Sequence, residues 1–473
     1  MNKAYLRHLN ESEKFEITFQ YVDPEARINR QFNLCRQVSE TISSFTTRVA
    51  TNMDKVIKKK NKNQTQPPIK VSVSVNGNQV KDDSISCKDI FVKNTDRIVL
   101  NVCNQQYDVI INSPWVSGLA LPNSILANFP VYPVKFESQY TDRGASEFSW
   151  FKSKNKTDWT LIGDRFIYQP SNGDIDSFLK ISCLPRNGDL EGPRVEAVSA
   201  VQVQAGPGFC PFETRHEFTK EKCKGESFRV VSYNILADLY CDSDFTREVL
   251  HPYCPAYALS FDYRKQLIIK ELTGYNADLI CLQEVDKKIY NYDLQPFFEQ
   301  LGYNSDFCIK RGLVAEGLAL FYNRARFKQL ETFRLVLSDE LNTNQLFSDI
   351  WERIAANKEL SARILDRSTV LQANILESLD NNEVLIVANT HLYFHPDADH
   401  IRLLQGAVII RYLEHLVDDF KNKVTDQDLR KYSTISAQVV PFPSSEELSQ
   451  HTALPSIVFP SDHIALISDL KWT

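Results

Sequence analysis

The chain has 473 residues, with 54 Lys and Arg against 60 Asp and Glu, a net charge of −6. Its 43% hydrophobic and 24% charged residues are ordinary globular proportions and exclude a fibre or a disordered chain; 15 glycines exclude collagen-like and Gly-rich linker architecture. No apolar run reaches the roughly 18 residues of a membrane span, and the acidic balance confines any nucleic-acid contact to a local patch.

The first 125 residues read as a β-rich domain. Residues 15–21, 69–75 and 97–102 alternate apolar and polar with period two, as half-buried strands do, and the second run ends at the turn dipeptide Asn76-Gly77. Between the first two lies the lysine run Lys55, Lys58, Lys59, Lys60 and Lys62, whose mutual repulsion predicts a solvated loop. Residues 126–208 carry short aromatic runs around Phe148, Trp150, Trp159 and Tyr168, separated by Pro, Gly and Asn turns. That spacing predicts an Ig-like β-sandwich with Trp150 and Cys183 in its core, closed by the linker Gly206-Pro-Gly208.

From residue 209 to 473 the texture changes to α/β. Buried strands are predicted at residues 229–234, 278–284, 318–322, 370–376 and 384–389, with a last short strand at 464–467. Helices are predicted over 263–272, over 294–301 with Asp293 as cap and Gly302 as stop, and over 400–420. The ten cysteines are scattered and form no CxxC, which predicts free thiols rather than a disulfide framework or a zinc site. At the N-terminus Lys3, Arg7 and His8 run straight into Glu11 and Glu13, unlike an Arg-rich, acid-poor presequence.

Four strands meet polar groups that a buried strand does not favour. Asn234 ends one, Glu284 another, Asn389-Thr-His391 a third, and Ser461-Asp-His463 opens the last. A carboxylate at the end of an apolar strand is costly unless it is solvated, paired or bound to a cation. Singly, each has a bland reading: Glu284 as a surface acid, His391 as a satisfied core histidine. Together they make the inventory of hard-cation phosphate chemistry, with carboxylate and amide oxygens for Mg²⁺, a histidine for a phosphate, and an Asp–His pair.

These motifs, with Asp262-Tyr-Arg264 and residues 389–396, resemble the deadenylase-type branch of the endonuclease–exonuclease–phosphatase superfamily. The wording of residues 462–472 and of the N-terminal β region is similar to the mitochondrial 2′,5′-phosphodiesterase family within it. The resemblance implies a four-layered α/β-sandwich phosphodiesterase domain preceded by the β-rich region. It implies a metal-dependent hydrolase, using Mg²⁺ or Mn²⁺, that acts on 2′,5′-oligoadenylate and removes poly(A) from the 3′ end as 5′-AMP. It also implies a mitochondrial matrix location, against which the N-terminal residues leave the cytoplasm as alternative. By the same resemblance Glu284 and Asn234 are metal ligands, His391 contacts the scissile phosphate, and Asp462 orients His463. His395, Arg402 and Phe321 take substrate-side positions, with Pro396 beside them.

Two family motifs are missing. The resemblance implies a Gly-Asp-Phe-Asn strand and a Leu-Asp-Tyr strand between His391 and Ser461. Every Gly-Asp pair in this chain (Gly163-Asp164, Gly173-Asp174, Gly188-Asp189) lies instead in the N-terminal half. Asp426 and Asp428 lack a preceding buried strand and read as surface residues. The catalytic domain is therefore expected to be incomplete after Phe420 by an internal deletion. A catalytically impaired isoform acting as a binding protein is the alternative function. A relative acting on abasic DNA, inositol phosphate or sphingomyelin is less compatible with the motif wording.

Overall fold

A computed structural model describes residues 2–9, 12–24, 27–60, 68–93, 96–241, 243–312, 314–423 and 436–472. The chain divides into two compact units. One comprises residues 1–119, 136–149 and 181–197, the other 120–135, 150–180 and 198–473.

The first 111 residues build a seven-stranded sheet in the order Ile28–Gln37, Lys14–Asp23, Asn2–Arg7, Gln105–Ile111, Ile98–Val102, Val71–Val75 and Asn78–Gln79. The alternation of Phe15, Ile17, Phe19 and Tyr21 sends these side chains into its core. A helix, Ile42–Lys60, covers them with Phe45, Val49, Met53 and Ile57, spaced four apart on one face. The lysine run expected as a loop therefore continues this helix through Lys60, because the four-residue spacing outweighs the like charges; Lys62 lies outside the described residues. A second sheet runs Thr160–Gly163, Asp142–Ser153, Phe178–Asn187, Leu190–Glu191, with Val195–Gln202 also beside Phe178–Asn187. Trp150 is fully buried, stacks on Tyr168 and donates its indole N–H to the Arg165 carbonyl at 2.8 Å. Cys183 is buried as expected, and the described cysteines are free thiols.

The remainder positions the candidate site. Its strands are β1 (Ser227–Asn234), β2 (Leu279–Asp286), β3 (Tyr303–Ile309), β4 (Glu316–Asn323), β5 (Phe327–Val336), β6 (Val370–Ser378), β7 (Val384–Thr390), β8 (Ser436–Val439) and β9 (Leu466–Lys471). Its principal helices are α1 (Phe261–Gly274) and α2 (Asp399–Lys423). One sheet has the order β3-β4-β2-β1-β9-β8, the other β5-β6-β7. Phe228, Leu279, Cys281 and Leu320 of the first pack against Phe327, Leu376 and Val387 of the second. Beside the first, α1 is tied to the end of β1 by Arg264, which donates to the Ile235 carbonyl, and the outer face of the second is covered by α2 through Ile401 and Val408. The result is four layers, helix–sheet–sheet–helix.

Two expectations shift, and a third falls outside the described residues. Asp293 caps no helix; buried, it accepts from the Tyr132 hydroxyl at 3.0 Å and pairs with Lys265 at 3.2 Å, contacts local spacing does not reveal. The last strand begins at Leu466, leaving Asp462 and His463 in the loop before it. Asp426 and Asp428 lie outside the described residues.

Under the sheet sits a buried polar chain. Arg215 donates to the Pro441 and Ala465 carbonyls and to the Tyr275 hydroxyl, which donates to Glu271 at 2.7 Å. Burial pushes the Glu271 carboxyl up to about 7, opposed in part by Tyr275, Tyr233 and Arg215. The folded state thus holds this proton more tightly than the unfolded chain does. Stability should fall by about 3 kcal/mol as pH rises from 4.5 to 7 and stay level above. Urea denaturation of Glu271→Gln across that range should show this slope removed; an unchanged slope would exclude Glu271 as its source.

Candidate active site

The site forms where β1 and β2 end side by side. Their parallel register sets Asn234 opposite Gln283, next to Glu284. The pairing of β2 with β4 shifts between Leu282 and Val285, and Glu284 sits in this irregularity at φ +55. A non-glycine residue in that region costs of order 1 kcal/mol and persists only where surrounding contacts over-determine it. Here they do. Asn234 Nδ2 donates to Glu284 Oε1 at 2.7 Å, and the Ala237 N–H donates to Oε2 at 3.1 Å. Asn234 Oδ1 accepts in turn from the Leu236 N–H at 3.0 Å.

Two buried side chains hold the surrounding loops. Arg264, fully buried on α1, donates to the carbonyls of Leu259, Ile235, Leu236 and Pro460. It thereby ties the segment after Asn234 to the one before Asp462. Ser461 Oγ reinforces that tie by donating to the Asn234 carbonyl at 2.7 Å. Asn389 joins the two sheets: its Nδ2 donates to the Leu282 carbonyl at 3.0 Å and its Oδ1 accepts from Gln283 at 2.8 Å. This junction brings His391 Nε2 to 3.9 Å from Glu284 Oε1. Burial first, then Lys310, lowers the His391 pKa, opposed by Glu284 and Asp462.

Asn234, Glu284, His391, Asp462 and His463 thus gather in one neighbourhood. The expected Asp462–His463 hydrogen bond is not made: the pair stands at 3.8 Å, and the His463 N–H is held by Ser461 Oγ at 3.2 Å. His395 accepts at Nδ1 from the Asp397 N–H at 3.2 Å and stacks on Tyr393. Arg402 spends its guanidinium on the carbonyls of Tyr393, His395 and Pro396 and on Asp399, so it shapes the loop after His391. Phe321, expected on the substrate side, is fully enclosed against Phe298 and Tyr290 and does not reach the site.

Two further charged residues stand beside His391. Lys310 pairs with Glu316 and lies 3.4 Å from His391 Nδ1. Burial raises the Glu316 pKa, and Lys310 pulls it back. The signal was present as a carboxylate opening the wholly apolar run at 317–322.

Glu284 offers one carboxylate; Asn234 turns its Nδ2 to that carboxylate and its Oδ1 to the Leu236 N–H, leaving the second lone pair of that oxygen as the amide ligand. Among the described residues no cluster of three or more His, Cys, Asp or Glu is arranged to hold a metal. The pair nevertheless fits a hard divalent cation of the kind held by one carboxylate, with water and substrate phosphate completing its shell.

The endonuclease/exonuclease/phosphatase family model matches residues 231–405, and the N-terminal domain model of 2′,5′-phosphodiesterase 12-like proteins matches 113–204. The rat 2′,5′-phosphodiesterase 12 is 32% identical over 586 aligned positions, taking in 100% of this chain and 94% of the rat protein. The chain belongs to the 2′,5′-phosphodiesterase 12 family. The human member is 31% identical over 584 positions, covering 100% of this chain and 94% of the human protein. The Ccr4 3′-5′-exoribonuclease subunit of Schizosaccharomyces pombe is 30% identical over 208 positions, covering 42% of this chain and 29% of its own. Among solved structures, the 2′,3′-cyclic phosphatase ANGEL2 aligns at 16% identity and TM-score 0.40, covering 53% of this chain and 97% of its own. The alignment with the rat protein is longer than this chain, so at least 586 − 473 = 113 of its positions face gaps here. Enzymes of the superfamily use divalent metal ions.

Proposed function

We propose that this chain is a Mg²⁺-dependent phosphodiesterase that hydrolyses 2′,5′-oligoadenylate and the 3′ end of poly(A) RNA to 5′-AMP, with Mn²⁺ as a substitute ion. The observation that carries this is Glu284, strained at φ +55 and turned to face Asn234 and His391. Backbone strain of that kind collects at functional sites. The names of its family relatives and of the Ccr4 subunits support the reaction class.

Glu284 and Asn234 would hold the cation. When bound, it supplies charge neutralisation and polarisation of the phosphate. His391 donates from Nε2 to a phosphoryl oxygen and meets the charge that builds there. His463, set by its N–H on Ser461, and Asp462 serve the proton of the attacking water. Arg402 fixes the His395–Pro396 loop as one wall of the substrate path. The three-part division at 125/126 and 208/209 and the mitochondrial matrix location belong to the same reading. Among the described residues no helix is long and apolar enough to cross a membrane.

Release of AMP from a 2′,5′-linked triadenylate, followed by chromatography with and without Mg²⁺, tests this. Glu284→Ala should lower turnover at least ~10²-fold, the scale on which removing one transition-state-directed group acts. Turnover unaffected by Glu284→Ala would overturn the assignment.

A further inference from the structure

The hairpin of β3 and β4 closes beside His391. Its register sets Ile309 opposite Gly317, and a Cβ on Gly317 would stand 2.2 Å from the Cys308 carbonyl oxygen. Only glycine permits that approach, and it brings Lys310 and Glu316 together at the turn end of the hairpin. The Lys310 N–H donates to the Glu316 carbonyl at 3.1 Å, and their side chains form an ion pair. Glu316 is fully enclosed, Lys310 nearly so, and the Tyr240 hydroxyl adds a third contact at 3.4 Å. The ammonium is therefore held in place, with a further N–H available at 3.4 Å to His391 Nδ1.

An ammonium has donors and no acceptor, and an imidazole nitrogen facing it must present a lone pair. We propose that Lys310, anchored by Glu316, is a positioning residue that locks His391 in its Nε2–H tautomer. The other ring nitrogen, Nε2, is the one 3.9 Å from Glu284 Oε1. Its proton then points to the side where Glu284 and Asn234 would gather cation and phosphate. The opposite tautomer would set an N–H against the ammonium and a lone pair toward the carboxylate, two repulsions in place of two attractions. Asp462 and His463 also face His391, but neither lies within a hydrogen bond of Nδ1 among the described contacts. The functional meaning of this tautomer rests on the phosphodiesterase reading; the tautomer itself does not.

Nitrogen-15 correlation spectra of the histidine-labelled full chain read the tautomer directly, with the His391 signals assigned by their loss in His391→Asn. The wild type should carry its ring proton on Nε2. Lys310→Met should lose that single-tautomer pattern, and Lys310→Arg should keep it. A wild-type proton on Nδ1, or an unchanged pattern in folded Lys310→Met, would overturn the proposal. If Lys310→Met does not fold, Glu316→Gln replaces it, with the same loss expected and an unchanged pattern equally adverse. A protein with the Nε2–H pattern whose turnover is unaffected by Glu284→Ala would count against the phosphodiesterase reading alone.

Discussion

Purified chain supplied with Mg²⁺ is expected to hydrolyse 2′,5′-linked oligoadenylate at least ~10³-fold more slowly than the rat relative assayed beside it, because groups of one catalytic constellation act as a unit. The reasoning starts from β7, which carries Asn389 and His391. It is the edge of a three-stranded sheet, and among the described residues no strand pairs with its outer side. Its apolar residues Val384, Leu385 and Ile386 are only half-buried, whereas β6 beside it is enclosed almost throughout. The resemblance placed an acid-bearing strand in this half of the domain, and at least 113 positions of the rat alignment face gaps in this chain. Among the described residues, Glu284 belongs to no cluster of three or more His, Cys, Asp or Glu arranged to hold a metal. On the proposed reading the site keeps Glu284 for the cation and His391 for the phosphate, while the Gly-Asp-Phe-Asn motif, whose acid the resemblance implies for placing the nucleophile, is absent from the sequence. Turnover within tenfold of the rat enzyme would show that the remaining groups suffice and would sink the expectation.

How far the sequence discloses this arrangement depends on which forces act locally. The strand ends at Asn234, Glu284 and Asn389 are legible because a polar residue closing an apolar run carries its own desolvation penalty. Phe321 misleads for the complementary reason. β4 is buried on both faces, so alternation says nothing about which of its side chains meets a site. The helix at Ile42–Lys60 is written in Phe45, Val49 and Met53, but its lysines dominate a reading by charge. Lys310 and Glu316 are six residues apart in a hairpin turn, and only the closure at Gly317 makes them a pair. Asp293 reads as a cap because its true partners, Tyr132 and Lys265, lie far away in sequence. Local periodicity thus recovers the layers, and tertiary contacts decide the hydrogen-bond partners.

Arg264→Met should cost about 4 kcal/mol in urea denaturation, and it should loosen the site before it unfolds the domain. Arg264 is wholly enclosed, and its donors serve four carbonyls, those of Leu259, Ile235, Leu236 and Pro460. Methionine fills much of the volume but leaves those carbonyls buried without donors, and hydrogen bonds from a charged group are each worth about 1.5–3 kcal/mol. Relaxation and entry of water recover part of that sum, which is why the expectation is the smaller figure. The consequence for the site follows from geometry. Ile235 and Leu236 precede Ala237, whose N–H holds Glu284 Oε2, and Pro460 precedes the Ser461 that holds the Asn234 carbonyl and the His463 N–H. Releasing both segments removes the contacts that over-determine Glu284 at positive φ, so the carboxylate should relax out of its strained position. Calorimetry with Mn²⁺ on the folded variant should then show affinity reduced about tenfold or more, the effect of losing roughly 1.4 kcal/mol of preorganisation. Arg264→Lys keeps the charge but has too few directed donors for four carbonyls, so it should fall between wild type and methionine in both measurements. Full stability with unchanged Mn²⁺ affinity in Arg264→Met would mean that the two segments hold themselves in place without this tie.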